Sequence, residues 1–173
     1  GQAQQEQPLL FQGSTITRKM GFPDVIMPGD VRNDMFITLE RGEFERGGKN
    51  TGKNILVTVL VLDVAGNVLS ECLWGASGMD SQDCHKSMIL YHQNYPFWNE
   101  MIRLSVPIDK FSTAHVRFEF RHCSTRDKTE PKLFGFSFAR LMDPSGATLT
   151  DGHHDMYVYK CEDPSKLVAF NYL

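Results

Sequence analysis

The sequence has little cysteine, no long apolar run and no excess of positive charge, and each shortage removes a class of protein. Its four cysteines, Cys72, Cys84, Cys123 and Cys161, lie far apart without a C-x-x-C pair. Neither a structural zinc site nor a dense disulfide framework is expected, and a reducing cytosol is the simplest home. No stretch approaches the roughly 18 to 20 apolar residues that span a bilayer, and the N-terminus lacks the charged-then-apolar layout of a signal peptide. The formal net charge of −3 speaks against a nucleic-acid binder that coats phosphate with a broadly basic surface. Any anion site must be local. What is present suffices for one core, since 41% of 173 residues are hydrophobic, and a single domain is expected.

Residues 1–14, "GQAQQEQPLLFQGS", are glutamine-rich and unpatterned, and Leu10-Phe11-Gln12-Gly13 resembles a viral protease site of the kind placed behind purification tags. The segment reads as a disordered tag or linker outside the fold. A native linker is the other reading, because cleavage after Gln12 would have removed what precedes it. Residues 15–33 are expected to form an extension packing on the domain, and residues 34–173 the domain itself.

From Asp34 onward the pattern is that of a sheet. "DMFITLE" (34–40), "NILVTVLVLD" (54–63), "VLSECLW" (68–74), "KSMILYH" (86–92), "WNEMIRLSV" (98–106), "HVRFEFR" (115–121), "LFGFSFARL" (133–141) and "DMYVYK" (155–160) are short and rich in β-branched or aromatic residues. Turn residues separate them at 65–67, 75–80, 143–146 and 151–154. In "HVRFEFR", Val116, Phe118 and Phe120 alternate with Arg117, Glu119 and Arg121, the period of a half-buried antiparallel strand. "ILVTVLVL" is apolar at nearly every position, as a strand covered on both faces would be. No window carries a convincing helical stripe, and no internal repeat occurs. The expected fold is all-β, an antiparallel eight-stranded β-sandwich with long loops at one end; an up-and-down barrel is the lesser alternative.

"NYPFWNE" (94–100) opens a strand with proline and follows it with a large aromatic, which puts Trp98 between the sheets. The motif resembles the Asn-Pro-x-Trp/Phe-Asn-Glu signature of C2 domains. Many C2 domains bind calcium through aspartates clustered on end loops, because this hard cation takes six to eight oxygen ligands. Here the loop acids are scattered: Asp80 and Asp83 in one, Asp127 between Arg126 and Lys128 in another, with no Asp-x-Asp pair. No metal site is expected.

Positive charge is instead concentrated. "RGEFERGGKNTGK" (41–53) and "RHCSTRDKTEPK" (121–132) each net +2, which leaves −7 for the remainder of a −3 chain. If both connections lie at one end of a sandwich, they bring Arg46, Lys49, Lys53, Arg126, Lys128 and Lys132 around one concavity, with Gly47, Gly48 and Gly52 allowing close backbone approach. Phe44 is the candidate apolar tip. The bland reading is a pair of solvated loops whose cations Glu43, Glu45 and Glu130 neutralise.

Catalysis is not expected. "GASGM" (75–79) lacks the last glycine of the G-x-S-x-G elbow, Asp83-Cys84-His85 are chain neighbours without the facing geometry of nucleophile and base, and His153-His154 reads as a polar turn.

Taken together, "VIMPGDVRNDMFITLERGEFERGGK" (25–49), "RFEFRHCSTRDK" (117–128), "KLFGFSF" (132–138) and "DGHHDMYVYKCE" (151–162) resemble the first DOCK homology region of the DOCK-family guanine nucleotide exchange factors, over about Arg18 to Leu173. The resemblance implies a C2-like domain of a large cytoplasmic protein whose separate exchange region acts on Rac or Rap GTPases, and which is recruited to the plasma membrane. It implies calcium-independent recognition of phosphatidylinositol 3,4,5-trisphosphate by a basic pocket of end loops, with no cofactor. Arg46, Lys49 and Lys53 match the basic positions of the first loop. Arg126 and Lys128 fall on the third loop, which is about two residues shorter here, with Cys123 where some relatives have arginine. The rival expectation is an interaction scaffold that packs on other regions of the parent protein, using "ILVTVLVL" and aromatics such as Tyr157 and Tyr159.

Overall fold

A computed structural model describes residues 8–9, 15–19, 32–46, 49–50, 54–75, 80–91, 93, 95–124, 130–148, 152–168 and 172–173, with 8–9, 15–19, 32–33, 45–46 and 49–50 described by their backbone. Alternating apolar residues in "DMFITLE" and "MIRLSV" set the first sheet. There β3 (Arg32–Arg41) runs antiparallel to β9 (Phe97–Pro107), with Met35 opposite Leu104 and Ile37 opposite Ile102. Around this pair stand β12 (Gly152–Asp155), β2 (Thr15–Lys19) and β7 (Leu73–Trp74), in the order β12-β2-β3-β9-β7. The second sheet is β1 (Pro8–Leu9), β13 (Val158–Lys160), β11 (Lys132–Arg140), β10 (His115–His122), β6 (Ile55–Leu62) and β8 (Cys84–Lys86), in the order β1-β13-β11-β10-β6-β8. A small hairpin, β4 (Glu45–Arg46) with β5 (Lys49–Asn50), stands apart, and two short helices, α1 (Ile108–Phe111) and α2 (Pro164–Val168), complete the order.

The sheets close on one another through Ile37 and Leu39 of β3, Val57 and Val59 of β6, Ile102 and Leu104 of β9, and Phe118 and Phe120 of β10. Each such side chain stabilises the fold by about 1.5–3 kcal/mol when fully buried. Two antiparallel sheets face to face make the expected sandwich, and all eight sequence segments contribute strand residues.

Several segments differ in extent, for local reasons. Of 68–74 only Leu73–Trp74 is strand, because Glu71 takes a left-handed φ of 55° and its N–H is held by the Asp83 carboxylate at 2.8 Å. In 86–92 the chain leaves the sheet at Ser87, whose Oγ accepts the Val57 N–H at 2.9 Å. The expected turn at 151–154 is instead the start of β12, paired with β2. The strand expected at 155–160 breaks at Met156 and Tyr157, where the chain crosses between sheets and Ser137 Oγ donates to the Tyr157 carbonyl.

The half-buried reading of β10 is corrected. Arg117 and Glu119 are only 7% and 6% exposed, because α2 and Tyr172 cover that face above the apolar cluster of Leu133, Phe136, Cys161 and Leu167. Burial is tolerated because the charges are paired. Arg117 Nη2 and Arg121 Nη2 each lie 2.8 Å from Glu119 carboxylate oxygens, and Arg117 Nη1 donates to Tyr172 Oη at 3.2 Å. Removing one partner of such a group leaves an uncompensated buried charge. "ILVTVLVL" is covered on both faces as expected, with Leu56, Thr58 and Leu62 buried on the side opposite Val57, Val59 and Val61.

Candidate functional site

Three connections leave one end of the sandwich together. His122, the last residue of β10, lies opposite both Ile55, the first of β6, and Lys132, the first of β11. Beyond that register, Cys123 N–H donates to the Asn54 carbonyl at 2.9 Å, and Asn54 Nδ2 donates to the Cys123 carbonyl at 3.3 Å. The end of 41–53 and the start of 121–132 therefore share one backbone junction. Asn54 holds it with a φ of 51°, a conformation asparagine tolerates better than most residues. The third connection, 87–96, enters from β8 and leaves into β9. Its Pro96 carbonyl accepts the Gly42 N–H at 3.0 Å, tying it to the base of 41–53.

The six candidate cations divide by how far they are described. The backbone register of the β4–β5 hairpin sets positions 46 and 49, Arg46 and Lys49, opposite each other. Lys132 is exposed at the first position of β11. Lys53, Arg126 and Lys128 lie outside the described residues, as do Gly47, Gly48 and Gly52. The cations nearest the sheets are committed elsewhere: Arg41 pairs with Glu40 at 3.2 Å, and Arg121 with Glu119. Neither of those carboxylates belongs to the two basic connections.

Phe44 is not an apolar tip. It is fully buried, meeting the rings of Phe120 at 5.1 Å and Phe134 at 5.6 Å, both edge-on. Gly42 makes room for it, since a Cβ there would lie 2.5 Å from Phe44 Cε2. Phe44 thus pins the base of the basic connection into the core. His122 stacks on Phe134 at 4.0 Å and 19°, extending the aromatic layer to the junction. Burial raises the pKa of the Cys123 thiol.

"NYPFWNE" explains its own geometry. Trp98 is buried and donates from Nε1 to the Met88 carbonyl at 3.0 Å. Asn99 takes a φ of 50° at the irregularity where β3 and β9 shift register. Glu100 accepts the Met88 N–H at 2.8 Å and faces His85 Nε2 at 2.8 Å.

The remaining constellations are held in other contacts where they are described, and residues 76–79 of "GASGM" lie outside the described residues. Asp83 holds a backbone N–H, His85 faces Glu100, and Cys84 between them is partly buried. His153 lies 3.0 Å from Glu40 on a strand rather than in a turn. Among the described residues no three His, Cys, Asp or Glu side chains come together to hold a metal, and no helix is long and apolar enough to cross a membrane. At the opposite end, tight turns close on two carboxylates: the Asn67 and Ala65 N–H groups lower the Asp63 pKa, and the Ser145 hydroxyl, with the Ala147 and Ser145 N–H groups, lowers that of Asp143.

Residues 28–173 match the family model described as the C2 domain in Dock180 and Zizimin proteins. The chain belongs to this DOCK family of C2 domains. The DOCK C2 chain is 54% identical over 165 residues to human dedicator of cytokinesis protein 3, covering 95% of this chain and 8% of that protein. It is 51% identical over 155 residues to human dedicator of cytokinesis protein 4, covering 90% of this chain and 8% of the relative. The chain thus spans a small part of the curated relatives it matches. A solved C2 domain of RIM2 superposes with a TM-score of 0.50 at 15% identity, covering 86% of this chain and 98% of the other, a likeness of fold alone.

Residue-level reading missed the junction itself. Asn54 and Cys123 carry no motif, and their pairing follows only from strand register. It also passed over the third connection, although Trp98 facing inward implies, by the period of two, that Phe97 faces out.

Proposed function

We propose that this DOCK C2 domain is a calcium-independent phosphoinositide-binding module that brings a larger cytoplasmic exchange factor for Rac or Rap GTPases to the plasma membrane, with phosphatidylinositol 3,4,5-trisphosphate as the preferred lipid. The observation that carries the reading is the Asn54–Cys123 junction, which roots two connections of local charge +2 at one end of an otherwise anionic domain. The hairpin register adds to it. It sets two basic positions, 46 and 49, opposite each other in the backbone ladder. Each cation near an anionic surface contributes about 1 kcal/mol, so Arg46, Lys49, Lys53, Arg126, Lys128 and Lys132 together supply enough for reversible recruitment before ordering costs.

Sedimentation with phosphatidylcholine vesicles containing the trisphosphate lipid tests this reading. Wild-type chain pellets with the vesicles, weakening as salt rises, and Lys49→Glu with Lys53→Glu releases it. Retained binding by the reversed variant contradicts the assignment. The scaffold reading loses two of its supports: Tyr159 packs against Phe136 and Phe138, and β6 is covered by the domain itself. Tyr157, still exposed, is what it has left.

A further inference from the structure

We infer that His122 is a headgroup contact: its imidazole lines the mouth of the sandwich beside Lys132, donates a hydrogen bond to a phosphate of the bound inositol, and makes binding proton-linked. The inference rests on the phosphoinositide reading above and adds to it a residue that is the last of a strand rather than a loop cation. Directly opposed residues of an antiparallel pair project from the same face, and His122 is opposed by Lys132 of β11 and by Ile55 of β6. Ile55 is buried in the core between the sheets, so that face is the inner one. His122 and Lys132 thus stand together where the inner face opens, at the end from which the basic connections leave.

A local irregularity fixes the ring. The ladder of β10 and β11 shifts so that Phe120 is opposite Gly135 while Arg121 is opposite Leu133, which leaves Phe134 as the extra residue. Phe134 lies flat against His122, and behind it Phe44, Phe120 and Phe134 are in mutual ring contact. His122 is therefore the outermost ring of an apolar layer, half-buried at the point where that layer meets solvent. The charges around it are mixed. Lys132 stands opposite, Arg121 on the other face is paired with Glu119, Cys123 follows in the chain, and the first connection carries the exposed Glu43 beside Phe44. Lys132 disfavours a second positive charge at the mouth, and a phosphate seated over the pair reverses that balance and draws a proton from solvent onto the imidazole. The charged ring then donates to the phosphate, a hydrogen bond of the stronger, charge-assisted kind.

Proton linkage separates this role from a structural one. The full chain and a His122→Phe variant, which keeps an aromatic ring and loses its N–H groups, are titrated with soluble inositol tetrakisphosphate by calorimetry. Titrations are run at about pH 6 and about pH 8, on either side of the histidine range, in two buffers of different ionisation heat. Phosphates of the ligand exchange protons too, and the variant subtracts them because it meets the same ligand. Wild type takes up more protons than the variant, and at the lower pH it binds about tenfold more tightly, the usual worth of a hydrogen bond to a charged group. The gap narrows at the higher pH. Equal affinity and equal proton uptake in wild type and variant overturn the inference, while loss of binding in Lys49→Glu, Lys53→Glu keeps the phosphoinositide reading standing. No headgroup binding by wild type at either pH overturns that reading and this inference with it. Equal proton uptake from inorganic phosphate at the same concentration would assign the mouth to free phosphate and overturn the headgroup assignment. His122→Gln, which stays polar and takes no charge, loses the linkage as well; a His122→Gln chain that retains it overturns the inference even if His122→Phe fails to fold.

Discussion

Two connections at the same end of the sandwich use large side chains in opposite ways. In 41–53, Phe44 turns inward and packs on Phe120 and Phe134; in 87–96 and at the first residue of β9 that ends it, Met88 and Phe97 stay in solvent. Residue type does not decide between them, since both carry phenylalanine. Backbone geometry does. Gly42 has no Cβ to block the returning ring of Phe44, whereas Trp98 already occupies the inward position beside Phe97, and strand alternation sends Phe97 out. An aromatic in a loop is therefore informative only with the residues that determine where its backbone points.

The comparison can be broken most forcefully at its buried member. Phe44→Ala removes a fully enclosed ring and is expected to cost about 4 kcal/mol of stability, measured by urea unfolding. A cost near zero would mean that Phe44 does not pin the connection. The covered face of β10 gives the next largest effect. Glu119→Ala strands Arg117 in a buried site and is expected to cost about 3 kcal/mol by the same measurement, against little loss if that face is solvated. Gly42→Ala tests the device that admits Phe44. The added methyl meets the ring, and overpacking of this kind costs about 2 kcal/mol, an effect that Phe44→Leu should relieve.

A weaker, pH-dependent effect comes from His115, which is fully buried against Tyr172. Desolvation first, then the charges of Arg117 and Arg140, lower its pKa from 6.5 to about 4. The unfolded chain consequently binds more protons than the folded one between these values. Its contribution is complete above pH 6.5 and declines as the pH falls toward 4. Urea midpoints taken at neutral and mildly acidic pH should show the decline, and His115→Gln should flatten it. Smallest of all, Phe97→Ser is expected to change stability by under about 0.5 kcal/mol, as for exposed positions generally. A large loss would erase the contrast with Phe44.

Much of this architecture is legible in the residues. The alternation in "DMFITLE", the doubly apolar "ILVTVLVL" and the inward Trp98 of "NYPFWNE" declare strands, sheet and core, because burial acts on local periods of two. Convergence of the two basic connections is not local. It depends on His122 facing Ile55 and on Asn54 meeting Cys123 across 69 positions, which no short window contains. The covered face of β10 was illegible for the same reason. Arg117 and Glu119 read as solvent-facing until Leu167 and Tyr172, far along the chain, close over them.

The central claim is that phosphorylated inositol binds where the basic connections converge. Backbone amide shifts of the full chain, recorded by NMR during titration with soluble inositol tetrakisphosphate, test it most directly. The account predicts perturbations confined to the segments around Gly42 to Asn54 and Cys123 to Lys132, with the turns at Asp63 and Asp143 unmoved. Shifts centred on those opposite turns, or none at saturating headgroup, would contradict it.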